Sequence, residues 1–498
     1  MSVIRGRLQE QDLELSCDVV IVGSGAGGSV LAAGLAERGL DVIVLEEGPY
    51  ATRDDFSQVE GEAYPMLYQD RFARATADAA IAVLQGRSVG GGTTVNWTTC
   101  FRTPQRVQDF WGERFGLDLD LDPHFEAVEQ RLGVAEWPEE LANANNRTLL
   151  DGCRALGWEA KALRRNVRGC VNSGYCGLGC PYDAKQGMLI TTLQDLLDRG
   201  GSIISDCRAL SIEHSGGRAS VVHGRVNDGG PRVTVRADKV VVAGGAINSP
   251  ALLLASDINP NGQVGRHSFL HPVVALPARY PHDIEGWSGA PQSIGSHQHI
   301  DRGEQVGFFM EVPPLQPMLA SAGLMGFGAM QRDFMKGLKR VSTLLSLMAD
   351  GFHESAPGGT VSLRADGRPK LDYPISEGLV EAFRAAHVAM ARVHLAAGAT
   401  EAVTLHPQPL TVRSESDLAA LKSAPYGALK HSIFTAHQMG GCRMTHDPSS
   451  RVVGTDHRVE GFENLYVVDG SVLPTSLGVN PSETIYALAH RAVEPVAG

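Results

Sequence analysis

Residues 17 to 48 restrict the fold more than any other stretch. CDVVIV at 17–22 is an apolar, β-branched run, GSGAGG at 23–28 is a glycine turn, and SVLAAGLAERG is a helical pattern ending at Gly39. DVIVLEEG at 41–48 supplies the next strand. Strand, turn, helix and strand in this order form a dinucleotide-binding unit, with Gly23, Gly25 and Gly28 in the GxGxxG positions. The first glycine permits the tight turn, the second lets backbone approach a pyrophosphate, and the third lets helix and strand pack closely. The helix N-terminus then faces the phosphates. Glu46, twenty-three residues after Gly23, ends the second strand, where a carboxylate accepts hydrogen bonds from an adenosine ribose; the plainer reading is a solvated strand-end acid.

A chain of 498 residues exceeds one ordinary hydrophobic core, so two or more lobes are expected around this unit. The net charge of −12 is spread without a basic block, which excludes nucleic acid as a partner. The opening MSVIRGRLQEQDLELS lacks an apolar core of signal-peptide length, and no run of about eighteen apolar residues follows. The expected location is therefore cytoplasmic, with any membrane association made through a partner. Eight irregularly spaced cysteines do not suggest a disulfide scaffold.

NAD and FAD both use the glycine unit, and three further segments bear on the choice. GRSVGGGTTVNW at 86–97 places Asn96 beyond a glycine turn. GGAINSPALLLAS at 244–256 follows the strand-like KVVVAG. NLYVVDGSVLPTSLGVNPSETIYALAHRAV at 464–493 carries Asp469 in a turn and a helix starting near Pro481. Together these segments resemble the glucose-methanol-choline (GMC) oxidoreductases over nearly the whole chain. NWTTCFRTP, DAKQG, the LHP at 270–272 and HQMGGCRM at 437–444 are most similar to the long-chain alcohol oxidase branch.

The resemblance implies an α/β fold in which a Rossmann-like FAD-binding domain (14–100, 165–272 and 432–498) is interleaved with a substrate domain (101–164 and 273–431). The second is built on its own, mainly antiparallel sheet. It also implies FAD, with the flavin near Gly90, Gly91, Asn96, Asp469 and Gly470 and the adenine near the backbone of Ala209.

Oxidising an alcohol carbon requires a proton acceptor, a hydride acceptor and hydrogen bonds to the developing alkoxide. The family places the acceptor at His437 in TAHQMGG and its partner at Asn480 in GVNPSET. The expectation is therefore His437 as base, Asn480 as hydrogen-bond donor to the substrate oxygen, and hydride passing to flavin N5. Imidazole exchanges protons near neutral pH, whereas an amide is polar without titrating. His271 and His490 are read as structural. TVSLRADGRPKLDY at 360–373 reads as a hairpin. VGFFMEVPPLQPMLASAGLMGFGAM at 306–330, with four methionines and Glu311 as its one charge, reads as the lining of an apolar pocket or its entrance, or as core. A hydrophobic alcohol, oxidised with oxygen or an external acceptor, is expected. The alternatives are the catalytic subunit of an electron-transferring dehydrogenase with a redox partner protein, and a lyase or decarboxylase offshoot.

RGCVNSGYCGLGCPYDAKQG at 168–187 clusters Cys170, Cys176 and Cys180. Zinc would favour a closer pair and a fourth ligand, and three thiols leave one over from a disulfide. The spacing resembles a GMC dehydrogenase branch whose catalytic subunit carries a three-iron cluster, which would make these cysteines its ligands. Free thiols in a loop are the other reading.

Overall fold

The computed structural model describes residues 2–227, 229–354 and 356–498. An eight-stranded sheet forms around the glycine unit. Its strands run Ser2–Arg5, Ser202–Ser205, Val42–Leu45, Leu13–Val22 and Arg232–Val242 in parallel, with Leu465–Val467 also parallel to the last of these. Arg218–Val226 and Cys207–Ser215 then continue antiparallel. Val19, Val20 and Ile21 are fully buried because helices cover both faces, and such burial selects continuous β-branched runs rather than alternation.

Helix α1 (Ala26–Glu37) leaves the end of Leu13–Val22 and helix α2 (Gly245–Ala255) the end of Arg232–Val242. Both helix starts therefore lie at the carboxyl ends of parallel strands, where open α/β sheets bind ligands. A Cβ at Gly28 would sit 2.0 Å from the Gly23 carbonyl, so glycine there is what lets α1 lie against its own strand.

The second sheet has nine strands and is mainly antiparallel, centred on Val273–Arg279, Val341–Met348 and Phe308–Glu311. Helix α3 (Glu377–Ala396) packs on one face around Phe308, Met310, Phe383 and Met390. The other face presents Val273, Phe309, Leu345 and Leu347 with Trp97 and Phe434. Ile81–Val83 and Ile433–Thr435, expected in the cofactor-binding part, hydrogen-bond into this second sheet. A strand pairs where its edge is free, whatever the order of segments along the chain.

The hairpin read at 360–373 is present as Thr360–Leu363 paired with Pro369–Asp372. The apolar run at 306–330 divides. Phe308–Glu311 is wholly buried strand, whereas Met318 and Phe327 are exposed at the surface. Among the described residues no helix is long and apolar enough to cross a membrane.

Candidate active site

A cavity of about 1320 Å³ runs between the two sheets, large enough for a dinucleotide and a small substrate. At one end it meets the start of α1, whose first turn holds no acidic residue and whose N-terminus has no side-chain cap, leaving its N–H groups for an anion. Gly23, Gly25, Glu46, Gly91, Asn96, Ala209, Asp469, Gly470, His437 and Asn480 all line this cavity. Gly28 and Gly90 stand behind the wall. Gly28 serves helix packing, and the Gly90 N–H donates to Ser24 Oγ at 3.0 Å.

Gly91 has φ of 54°, and a Cβ there would come 2.7 Å from Gly25 Cα, so two glycine turns from distant segments touch backbone to backbone. Glu46 accepts from the Ser24 N–H and hydroxyl through one oxygen and from the Gly48 N–H through the other. Burial pushes this carboxyl above its usual range despite those bonds. Asp469 similarly accepts from the Gly245 N–H at 2.8 Å, the Ser471 N–H at 2.7 Å and the Ser249 hydroxyl, tying the C-terminal turn to α2. Both acids brace the backbone of the cradle as well as lining it. Asn96 Oδ1 is buried with no partner among the described residues, the condition expected of a polar group shaped for a ligand. Residues and space thus fit FAD.

At the other end, the pairing of Gln438–Gly440 with Ser268–Leu270 sets His437 beside His271. Their Nδ1 atoms are 3.0 Å apart. The Gly478 N–H donates to His271 Nε2 at 3.0 Å, so His271 carries its proton on Nδ1 and donates it toward His437. Neutral His437 in this arrangement has its own proton on Nε2, the nitrogen left for the cavity. The base expected from the sequence is a donor at rest. It becomes an acceptor only when His437 is protonated at Nδ1 and His271 at Nε2, an arrangement that gives up the Gly478 N–H bond to His271. Burial holds His437 down to about 4 and His271 well below the ordinary histidine value.

Asn480 Nδ2 lies 3.5 Å from Glu311 Oε2, which also accepts from Gln292 Nε2. Glu311 is fully buried with no cationic partner among the described residues, and burial pushes its carboxyl up to about 8. Gln292 in turn accepts from the Thr99 hydroxyl at 3.0 Å. Sequence reasoning passed over Ser24, His271, Gln292 and Glu311 as site residues. Two left a trace: Glu311 is the one charge in an apolar run, and His271 stands in the LHP motif.

Cys170, Cys176 and Cys180 are part-exposed free thiols. Among the described residues no three His, Cys, Asp or Glu side chains converge as metal ligands. The geometry gives the three-iron reading no support.

The GMC oxidoreductase family profiles match residues 17–273 and 355–489. An uncharacterised GMC-type oxidoreductase of Mycobacterium tuberculosis is 35% identical over 479 residues, covering 95% of this chain and 74% of that one. The long-chain-alcohol oxidase FAO4A of Arabidopsis thaliana is 32% identical over 511 residues, covering 96% and 68%. Among solved structures, pyridoxine 4-oxidase from Mesorbium loti superposes with a TM-score of 0.71 at 21% identity, covering 96% of this chain and 98% of that one. A formate oxidase of Aspergillus oryzae RIB40 gives 0.73 at 15%, covering 98% of each. The chain belongs to the GMC oxidoreductase family and is an FAD-dependent oxidoreductase.

Proposed function

We propose that the protein oxidises a hydrophobic alcohol to its aldehyde or ketone. The observation that carries this reading is that His437 and Asn480 both line the cavity that Trp97, Val273, Leu345, Leu347 and Phe434 also wall. FAD supplies the hydride acceptor. The chain's own residues hold the hydroxyl oxygen between the His437 ring and the Asn480 amide, orienting the carbinol C–H, while the apolar walls exclude water. His437 takes the hydroxyl proton at Nε2 once the histidine pair has shifted to its second tautomeric arrangement, with the Gly478 N–H no longer bonded to His271. Asn480 donates from Nδ2 to the oxygen as negative charge builds there.

In this proposal the eight-stranded part holds the cofactor, and residues 101–164 and 273–431, joined by Trp97 and Phe434, shape the substrate end. The long-chain-alcohol oxidases among the relatives favour an aliphatic substrate. A panel of primary and secondary alcohols, assayed by product mass spectrometry with the flavin-loaded protein, tests the substrate class. Turnover of sugars with none of the apolar alcohols would sink it. Peroxide formation in air against dye reduction distinguishes oxygen from an external acceptor, and iron and acid-labile sulfide analysis tests for electron exit through a cluster.

A further inference from the structure

The 168–187 loop belongs to none of the steps above, yet it is built with unusual electrostatics. Cys170, Cys176 and Cys180 line a single recess together with Tyr175, Tyr182 and Lys185. The recess measures about 20 Å³, room for roughly one water and far less than a metal-sulfur cluster needs. Behind the thiols lie two buried cations, Arg165 at 1% exposure and Lys185 at 6%. Neither takes part in any ion pair among the described residues, where most other arginines do. Arg165 Nη2 approaches Cys176 Sγ at 3.9 Å, and its Nη1 is buried with no partner among the described residues. Lys185 Nζ donates to the carbonyls of Thr94, Asn96 and Cys176 at 2.5, 3.0 and 2.8 Å. One ammonium thus fastens the thiol loop to the segment that lines the flavin end.

Arg165 is held by the Thr98 hydroxyl and the Trp97 carbonyl, and Lys185 by three carbonyls, so both cations stay fixed beside the thiols with no carboxylate to offset them among the described residues. Reactive cysteines sit in part-exposed, electropositive surroundings of this kind. We propose that Cys176 is a peroxide-sensitive thiol that closes into a disulfide with Cys170 or Cys180. The Cys176 sulfur attacks one peroxide oxygen, the O–O bond breaks, and a sulfenic acid forms with release of water. A neighbouring thiol then attacks that sulfur, forming S–S and releasing a second water. Two thiols and one hydrogen peroxide give one disulfide and two waters, and the peroxide is the oxidant. Arg165 and Lys185 present positive charge to the sulfur that bears negative charge during the attack.

The test supplies hydrogen peroxide from outside, so its outcome is independent of which alcohol the enzyme oxidises or which acceptor it uses. Flavin-loaded full-length protein, reduced and desalted, is titrated with hydrogen peroxide, and its thiols are mapped by alkylation and peptide mass. The expected result is a dithiothreitol-reversible disulfide joining Cys176 to Cys170 or Cys180, formed at least about tenfold faster than oxidation of Cys17 or Cys442. A Cys170→Ser/Cys180→Ser double variant should instead accumulate a dimedone-trappable sulfenic acid at Cys176. Flavin content of the Cys176→Ser variant, read from its visible absorbance, checks that the loop still folds. The proposal is overturned if the loop thiols oxidise no faster than Cys17 and Cys442, if Cys176→Ser loses none of the loop's peroxide reactivity, or if the purified protein carries stoichiometric iron and sulfide on these cysteines.

Discussion

At the scale of single residues, the account rests on His437, Asn480 and the glycines that let backbone meet cofactor. Replacing His437 with alanine is expected to slow anaerobic flavin reduction by about 10²–10⁴-fold, the usual contribution of a positioned proton acceptor. The pH dependence has a definite sign. Burial holds His437 near 4, so the neutral ring that can accept a proton persists above that value, and the acid limb that His437 sets in kcat/KM should lie at about 4. A limb near the ordinary histidine value of about 6.5 would show that His437 is solvated or not the group that titrates. Gly91→Ala forces a Cβ onto Gly25 Cα at a φ of 54°, and FAD affinity should drop at least about tenfold, measured as flavin retained per protein after dialysis. The glycines were marked in the sequence by their spacing, and His437 and Asn480 by the GMC resemblance. The resting tautomer of His437 was not, because a backbone N–H at Gly478, far along the chain, sets it through His271.

At the scale of elements, the strand Ile433–Thr435 that leads to His437 begins beside a buried aromatic cluster. His387 on α3, His406 and His431 surround Tyr426, with ring centroids 4.5 to 6.4 Å apart. Burial lowers all three histidines, taking His387 to about 4, and His431 is lowered further by its two neighbours. A histidine whose folded value is depressed is neutral in the native state, so its contribution is complete above about 6.5 and is lost as pH falls toward 4. His387 alone accounts for on the order of 3 kcal/mol across that window. The melting temperature should therefore decline between pH 6.5 and 4, and less steeply in His431→Phe, which removes one of the rings that must charge. An equal decline in the variant would show that other buried groups govern acid unfolding. Periodicity revealed the hairpin at 360–373 and the crossover unit, whose patterns are local. It did not reveal that Ile81–Val83 and Ile433–Thr435 would join the second sheet, since edge pairing between distant segments leaves no local mark.

At the scale of the whole molecule, two sheets enclose one cavity whose cofactor end is polar backbone and whose far end is apolar side chains around two polar groups. The GMC resemblance carried both sheets and the cofactor because its signatures are spread along the chain. The substrate end was less legible: its walls come from four separated segments, and Glu311 meets Asn480 only when the strand Phe308–Glu311 and the final turn are folded together. That arrangement predicts that kcat/KM rises with alkyl length across a series of primary alcohols and stays low for polyols, as each buried methylene contributes roughly 0.8 kcal/mol. The most direct measurement is rapid-mixing reduction of the enzyme-bound flavin under anaerobic conditions, using a primary alcohol with and without deuterium at the carbinol carbon. The account predicts bleaching with a several-fold slower rate for the deuterated alcohol and near-complete loss of bleaching in His437→Ala. Flavin that no apolar alcohol reduces, or that His437→Ala reduces at the unmodified rate, would contradict it.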